Sequence, residues 1–147
     1  MFKSIVVGTD GSDTAREAVR QAIALAQAVG ASIELVSAFE PIPSQRLRQP
    51  SREVPEDVQW MANPREEVDA TLREASEAIE RAGVAVTPYA REGDPADAIL
   101  DVAEERGADL IVVGNKGMTG AKRFLLGSVP NRVSHHAPCS VLIIRTT

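Results

Sequence analysis

Asp109-Leu110-Ile111-Val112-Val113-Gly114-Asn115-Lys116-Gly117-Met118-Thr119-Gly120-Ala121-Lys122-Arg123-Phe124-Leu125-Leu126-Gly127-Ser128 is the stretch whose reading decides the fold. Asp109 to Val113 is a short apolar, β-branched run of the buried-strand type. It stops at a glycine. After Gly127-Ser128, the residues from Val129 to His136 have helical character. A strand therefore ends at Gly114, a glycine-rich loop follows, and Gly127-Ser128 opens a helix. Glycines at Gly114, Gly117 and Gly127 predict positive φ angles and close approach of a ligand to main-chain N–H groups. A helix start adds unpaired N–H donors and a partial positive charge. Together these are the ingredients of an anion site, most often one for phosphate.

The spacing decides which kind of phosphate loop this is. A Walker A loop places its lysine directly before Ser or Thr, and neither Lys116 nor Lys122 is so placed. The dinucleotide fingerprint Gly-x-Gly-x-x-Gly is absent as well. What stands here is Gly114, two residues, Gly117, nine residues, then Gly127-Ser128. This pattern, in its strand–loop–helix setting, resembles the nucleotide-binding signature of the universal stress protein family in its ATP-binding branch. The resemblance runs from the opening Val7-Gly8-Thr9-Asp10-Gly11-Ser12 to the final strand, and only the proline-rich connection after Glu40 lies outside it.

Outward from that stretch, strand and helix patterns alternate. Lys3 to Thr9 reads as a first strand centred on Ile5-Val6-Val7, followed by a turn in which Ser12 is the expected helix N-cap. Ala15 to Val29 carries Ala18, Val19, Ala22, Ile23, Leu25 and Ala26 at helical spacing, and Gly30 stops it. Ser32 to Ala38 is the second strand. From Glu40 to Asn63, Pro41, Pro43, Pro50 and Pro55 break any pattern, which leaves either a lid over a ligand or a surface excursion. Asn63-Pro64-Arg65-Glu66 starts a helix whose apolar stripe is Val68, Leu72, Ala75, Ala78 and Ile79. Val84 to Ala90 reads as a third strand, and Pro88 places it at a sheet edge because proline has no ladder donor. Asp94-Pro95 opens a further helix that ends at Gly107, and Ser140 to Arg145 is the last strand. Such alternation predicts an α/β fold with a parallel sheet covered by helices on both faces. The resemblance implies one doubly wound domain over residues 1–147, with five parallel strands in the order 3-2-1-4-5. In such sheets ligands sit beyond the carboxyl ends of the strands, where strand order reverses.

Each candidate residue has a structural alternative. Asp10 is either a ligand contact, accepting from ribose hydroxyls or the adenine amino group, or a turn former. By resemblance, Thr9 and Ala38 line an adenine pocket. Gly114, Gly117, Gly127, Ser128 and Val129 take the phosphates, Ser128 serving equally as a helix N-cap. Pro130 removes one N–H from that first turn. Lys116, Lys122 and Arg123 either add charge to a polyphosphate or are solvated loop cations. His135 and His136 suit a helix C-terminus better than a metal site. Neither a nucleophile–base pair nor a Gly-x-Ser-x-Gly elbow is visible. The resemblance therefore implies ATP, with or without Mg2+, held by a nucleotide-dependent regulator of the stress response. Cyclic AMP as the ligand, or a slow ATPase or autophosphorylating enzyme, are the alternatives.

Composition narrows the partners. A chain of 147 residues with net charge −5 and scattered basic residues carries no nucleic-acid footprint. The single cysteine, Cys139, excludes an internal disulfide and fits a cytoplasmic setting. No apolar run reaches membrane-span length. The last strand, with Val141-Leu142-Ile143-Ile144, is strongly apolar, yet the implied strand order puts it at an edge. An apolar edge invites a second chain, which predicts a homodimer through Ser140–Arg145.

Overall fold

The computed structural model describes residues 2–39, 65–115 and 127–146. The elements are β1 (Ser4–Gly8), α1 (Asp13–Val29), β2 (Ser32–Phe39), α2 (Arg65–Arg81), β3 (Val86–Glu92), α3 (Pro95–Arg106), β4 (Leu110–Gly114), α4 (Ser128–His136) and β5 (Ser140–Ile144). All five strands run parallel in one sheet, ordered β3-β2-β1-β4-β5. The chain moves outward from β1 to β3, then crosses back to β4 and outward again to β5. Right-handed crossovers put helices on opposite faces when the direction of travel reverses. The packing agrees. Val19, Ala22 and Ala26 of α1 and Val68, Leu72 and Ile79 of α2 cover Ile5, Val7, Ile33, Leu35 and Val112. Ile99, Val102 and Ala103 of α3 and Val129 and Val133 of α4 cover Val6, Val36, Ile111 and Val113 on the other face. Period-2 alternation along each strand thus divides the core into two layers.

The expected helix signals have their physical counterparts. Ser12 caps α1, its Oγ accepting from the Ala15 N–H at 3.2 Å, and Gly30 ends that helix in the left-handed region at φ 75°. Asp94 caps α3 by accepting from the Asp97 N–H at 3.1 Å. Pro88 does lie on an edge strand. The Ala85 carbonyl and the Gly93 N–H both bond to β2, and alternation turns the Pro88 nitrogen to the free side, where no ladder donor is lost.

The third strand differs from the sequence reading at both ends, and other strand ends move by a residue, as at Ser4–Gly8 and Ser140–Ile144. The third strand is Val86–Glu92, two residues later than Val84 to Ala90. Val84 is buried, but its N–H donates to the Ile79 carbonyl at 3.2 Å, so it belongs to the turn that closes α2. At the other end the ladder continues, with the Gly93 N–H reaching the Phe39 carbonyl at 2.9 Å. The proline-rich connection and the Asn63-Pro64 helix start lie outside the described residues.

Candidate functional site

Strand order reverses between β1 and β4, and the residues singled out from sequence gather at the carboxyl ends of these two strands. Gly8 pairs with Val36, so continuing that register sets Asp10 level with Ala38. Val7 pairs with Val112, which sets Thr9 level with Gly114. The N-terminal ends of α1 and α4 both open at this end of the sheet, each following one of the two central strands. Their partial positive charges therefore act on one crevice.

Asp10 is half-buried, and its Oδ1 accepts from the Ser12 N–H at 2.9 Å. The turn-forming role is thus real. It occupies one carboxylate oxygen, and Oδ2 has no hydrogen bond among the described residues. Thr9 is buried; its N–H continues the ladder to Val36, and its Oγ1 accepts from the Gly11 N–H at 3.2 Å. The side chains of Thr9 and Ala38 are not brought together. Thr9 borders a groove of about 250 Å3 between α1 and α2, whereas Ala38 packs on the opposite face with the α3–α4 layer.

The glycines correct one expectation. Gly114 is not in the left-handed region, and Gly127 has φ −62° and ψ 163°, an extended conformation open to any residue. A Cβ built on Gly114 meets the Thr14 carbonyl oxygen and the Thr146 Cγ2 at 3.7 Å, ordinary contact distances. Neither backbone turn nor packing against the described residues demands glycine at Gly114. The residue here that does require glycine is Gly11, at φ 81°, where a Cβ would stand 3.1 Å from the Thr71 Oγ1 of α2. The Asp10-Gly11-Ser12 turn thus lies directly against α2.

Ser128 is not the N-cap of α4. That position is Gly127, which has no side chain to cap with, and Ser128 is the first helical residue, exposed. The Gly127 N–H donates to the Asn115 carbonyl at 2.9 Å, so it is already satisfied. Pro130 has no N–H, and the Asn131 N–H reaches the Gly127 carbonyl at 3.0 Å. The first-turn donors without an intrahelical acceptor are those of Ser128 and Val129. Lys116 and Gly117, with Lys122 and Arg123, lie outside the described residues.

Two further groups fix this frame, and sequence reasoning missed both. Arg132 of α4 forks onto the start of α3, with Nη1 3.1 Å from Asp94 Oδ2 and Nη2 2.7 Å from Asp97 Oδ1. Asn115 joins the two ends of the glycine-rich stretch through Gly127 and holds Thr146 through its side chain. An arginine one turn into a helix and an asparagine after a strand-ending glycine were the only available signals.

The model of the universal stress protein family matches residues 1–145. The chain belongs to the universal stress protein family. Among curated relatives, a universal stress protein of Mycobacterium tuberculosis is 37% identical over 147 residues, covering 99% of this chain and 98% of that one. Among solved structures, a universal stress protein in complex with cAMP is 33% identical with a TM-score of 0.72, covering 99% of this chain and 98% of its own. The universal stress protein from Archaeoglobus fulgidus in complex with dAMP is 27% identical with a TM-score of 0.67, covering 97% and 98%. The five-stranded order found here is the fold these members share. Among the described residues, no helix is long and apolar enough to cross a membrane.

Proposed function

We propose that this universal stress protein binds an adenine nucleotide in the crevice between β1 and β4, with ATP as its ligand, and acts as a nucleotide-dependent regulator in the stress response. The observation that carries the reading is the pair of helix starts opening on one crevice beside Gly114, a glycine that neither its conformation nor packing against the described residues requires. Two main-chain donors with no acceptor among the described residues, on Ser128 and Val129, with the α4 dipole behind them, suit a phosphate. The second Asp10 oxygen suits a ribose hydroxyl or the adenine amino group, and Ala38, level with Asp10, supplies a small wall beside it, while Thr9 turns to the other face of the sheet. Gly117 and Lys116 belong to the same proposal through the motif alone. Gly127 contributes through its missing side chain, since its N–H is engaged.

A second reading, cyclic AMP, is favoured by the relative solved with cAMP. Among the described residues no three His, Cys, Asp or Glu converge on a metal position. Mg2+ would therefore arrive on the triphosphate, which matches its preference for phosphate oxygens and retained waters. Hydrolysis is a separate question that a single-turnover assay with labelled ATP answers; a pure binder returns intact ATP.

The assembly proposed is a homodimer through Ser140–Arg145. β5 is the sheet edge, and Leu142 and Ile143 are 40% and 37% exposed. Antiparallel pairing of this strand with its copy would cover both.

Calorimetric titration with ATP, cyclic AMP and tripolyphosphate tests the nucleotide reading, joined to mass spectrometry of whatever co-purifies. ATP binding that Asp10→Ala weakens far more than tripolyphosphate binding is the expected result. A folded protein that binds none of the three overturns the reading.

A further inference from the structure

We infer that Asn115 is a positioning residue for the phosphate end of the nucleotide site, and that it acts through Thr146. This deepens the nucleotide-binding reading and rests on it. Four hydrogen bonds converge on Asn115. Its N–H donates to the Ile144 carbonyl at 2.9 Å, and its carbonyl accepts from the Gly127 N–H at 2.9 Å. Its Oδ1 accepts from both the N–H and the Oγ1 hydroxyl of Thr146, each at 2.9 Å. One residue therefore ties the end of β4, the N-cap of α4 and the segment after β5 into a single knot.

The consequence follows from what Gly127 lacks. With no side-chain cap, the start of α4 is held by the Gly127–Asn115 bond on one flank and by the Arg132 fork on the other. The donors of Ser128 and Val129 stay aimed only while Asn115 stays in place. Two donors from Thr146 saturate both lone pairs of the Asn115 side-chain oxygen and fix its rotamer. If they are removed, the Asn115 side chain gains rotameric freedom and the Gly127 bond loses its support. A phosphate must then re-order the helix start as it binds, and that ordering lowers affinity. Thr146 lies on a different element from the phosphate donors, and its hydrogen-bond route to them runs through Asn115; its Cγ2 also stands beside Gly114, and exchange of the Gly127 amide together with Thr146→Ser, which loses that methyl, distinguishes the two routes.

The test uses the whole chain with Asn115→Ala, Thr146→Pro and Thr146→Ser. Proline removes both Thr146 donors at a residue beyond the last strand, and serine keeps both. Calorimetric titration with ATP is paired with NMR measurement of Gly127 amide exchange and with thermal unfolding. Asn115→Ala and Thr146→Pro are expected to weaken ATP by about three- to tenfold, the range for one or two lost hydrogen bonds. The Gly127 amide should exchange faster in both, unfolding of Thr146→Pro should stay near wild type, and Thr146→Ser should match wild type in all three. A wild-type protein that does not bind ATP overturns the nucleotide reading itself. If wild type binds, then ATP affinity and Gly127 exchange left unchanged by Thr146→Pro overturn the role of Asn115 alone. So does a Thr146→Ser variant that loses as much affinity as proline.

Discussion

Gly114→Ala separates a glycine kept for a ligand from a glycine kept for the fold. In the structure the residue ends β4 with ordinary backbone geometry, and a Cβ there finds its nearest neighbours, the Thr14 carbonyl oxygen and the Thr146 Cγ2, at 3.7 Å. No contact with a described residue has to give. Alanine at a compatible site stabilises by about 0.4–1 kcal/mol, because the unfolded chain loses more freedom than the folded one. For a chain of this size that raises the melting temperature by roughly 1–4 °C. If a ligand's phosphates approach the backbone here, the same methyl costs about 1–3 kcal/mol of binding, as overfilling a packed site does. That is roughly a five- to 150-fold loss of ATP affinity. Differential scanning calorimetry and isothermal titration on the same preparation read both quantities. Stability that rises while ATP affinity falls is the expected pair. A folded, stabilised variant with unchanged affinity refutes the inference that ligand approach explains Gly114. A destabilised variant refutes the reading of the local packing.

Other perturbations address the fold and the assembly. Burial pushes the Asp109 carboxyl up, but the N–H groups of Lys3 and Ser4 donate to it and outweigh burial, so it titrates below its ordinary value of 3.8. A depressed carboxyl contributes stability that is complete above its unfolded value and is lost as pH falls through the folded one. Asp109→Asn should cost about 1–2 kcal/mol at neutral pH and flatten the loss of stability below about pH 4, read as melting temperature against pH. Tyr89→Phe removes the 2.8 Å bond from the phenol to the buried Glu34 carboxylate, leaving Arg106 Nε at 4.0 Å as its remaining partner among those described. A loss of about 1.5–3 kcal/mol in urea unfolding is expected, without change in ATP affinity. Gly127→Ser gives α4 a side-chain cap that competes for its first-turn donors; ATP affinity should fall while thermal stability holds. Ile143→Lys places charge on the exposed edge strand, and sedimentation equilibrium should show a shift from dimer to monomer or aggregate. A wild-type monomer at micromolar concentration sinks the dimer.

Much of the architecture was legible because local signals agreed. Ser12 and Asp94 are caps whose side chains make the expected bonds, and β-branched runs such as Ile5-Val6-Val7 and Leu110 to Val113 form strands buried on both faces. The third strand was read two residues early because apolar character does not distinguish a strand from the turn that feeds it. Val84 is buried like a strand residue, yet its N–H is committed to Ile79. At the site, glycine was a partial guide. The positive φ expected at Gly114 and Gly127 is absent, and the described glycine of this region that has one is Gly11, at φ 81°. Asn115 was silent because its partner Thr146 lies 31 positions away. That pairing exists only because β4 and β5 align Gly114 with Ile144, a fact of register rather than of local pattern.

The distinction between these glycines says more about the crevice than the motif does. Gly11, Gly30 and Gly107 occupy left-handed conformations, so the backbone accounts for them without any ligand. At Gly127 a serine or aspartate would cap α4 and stabilise it, since its backbone already has the extended geometry of an N-cap. Such a side chain would also accept from the first-turn N–H groups and set an oxygen where the proposed anion would sit. The chain instead carries a residue that leaves those donors open, and Pro130 narrows them to Ser128 and Val129. It then holds the uncapped helix start from outside, through Asn115 and the Arg132 fork onto Asp94 and Asp97. A fold optimised for helix stability alone would place the cap in the helix's own sequence. Moving it onto neighbouring elements fixes the donors in direction and leaves them without a partner among the described residues, which is the condition the proposed anion site needs to bind without being rebuilt.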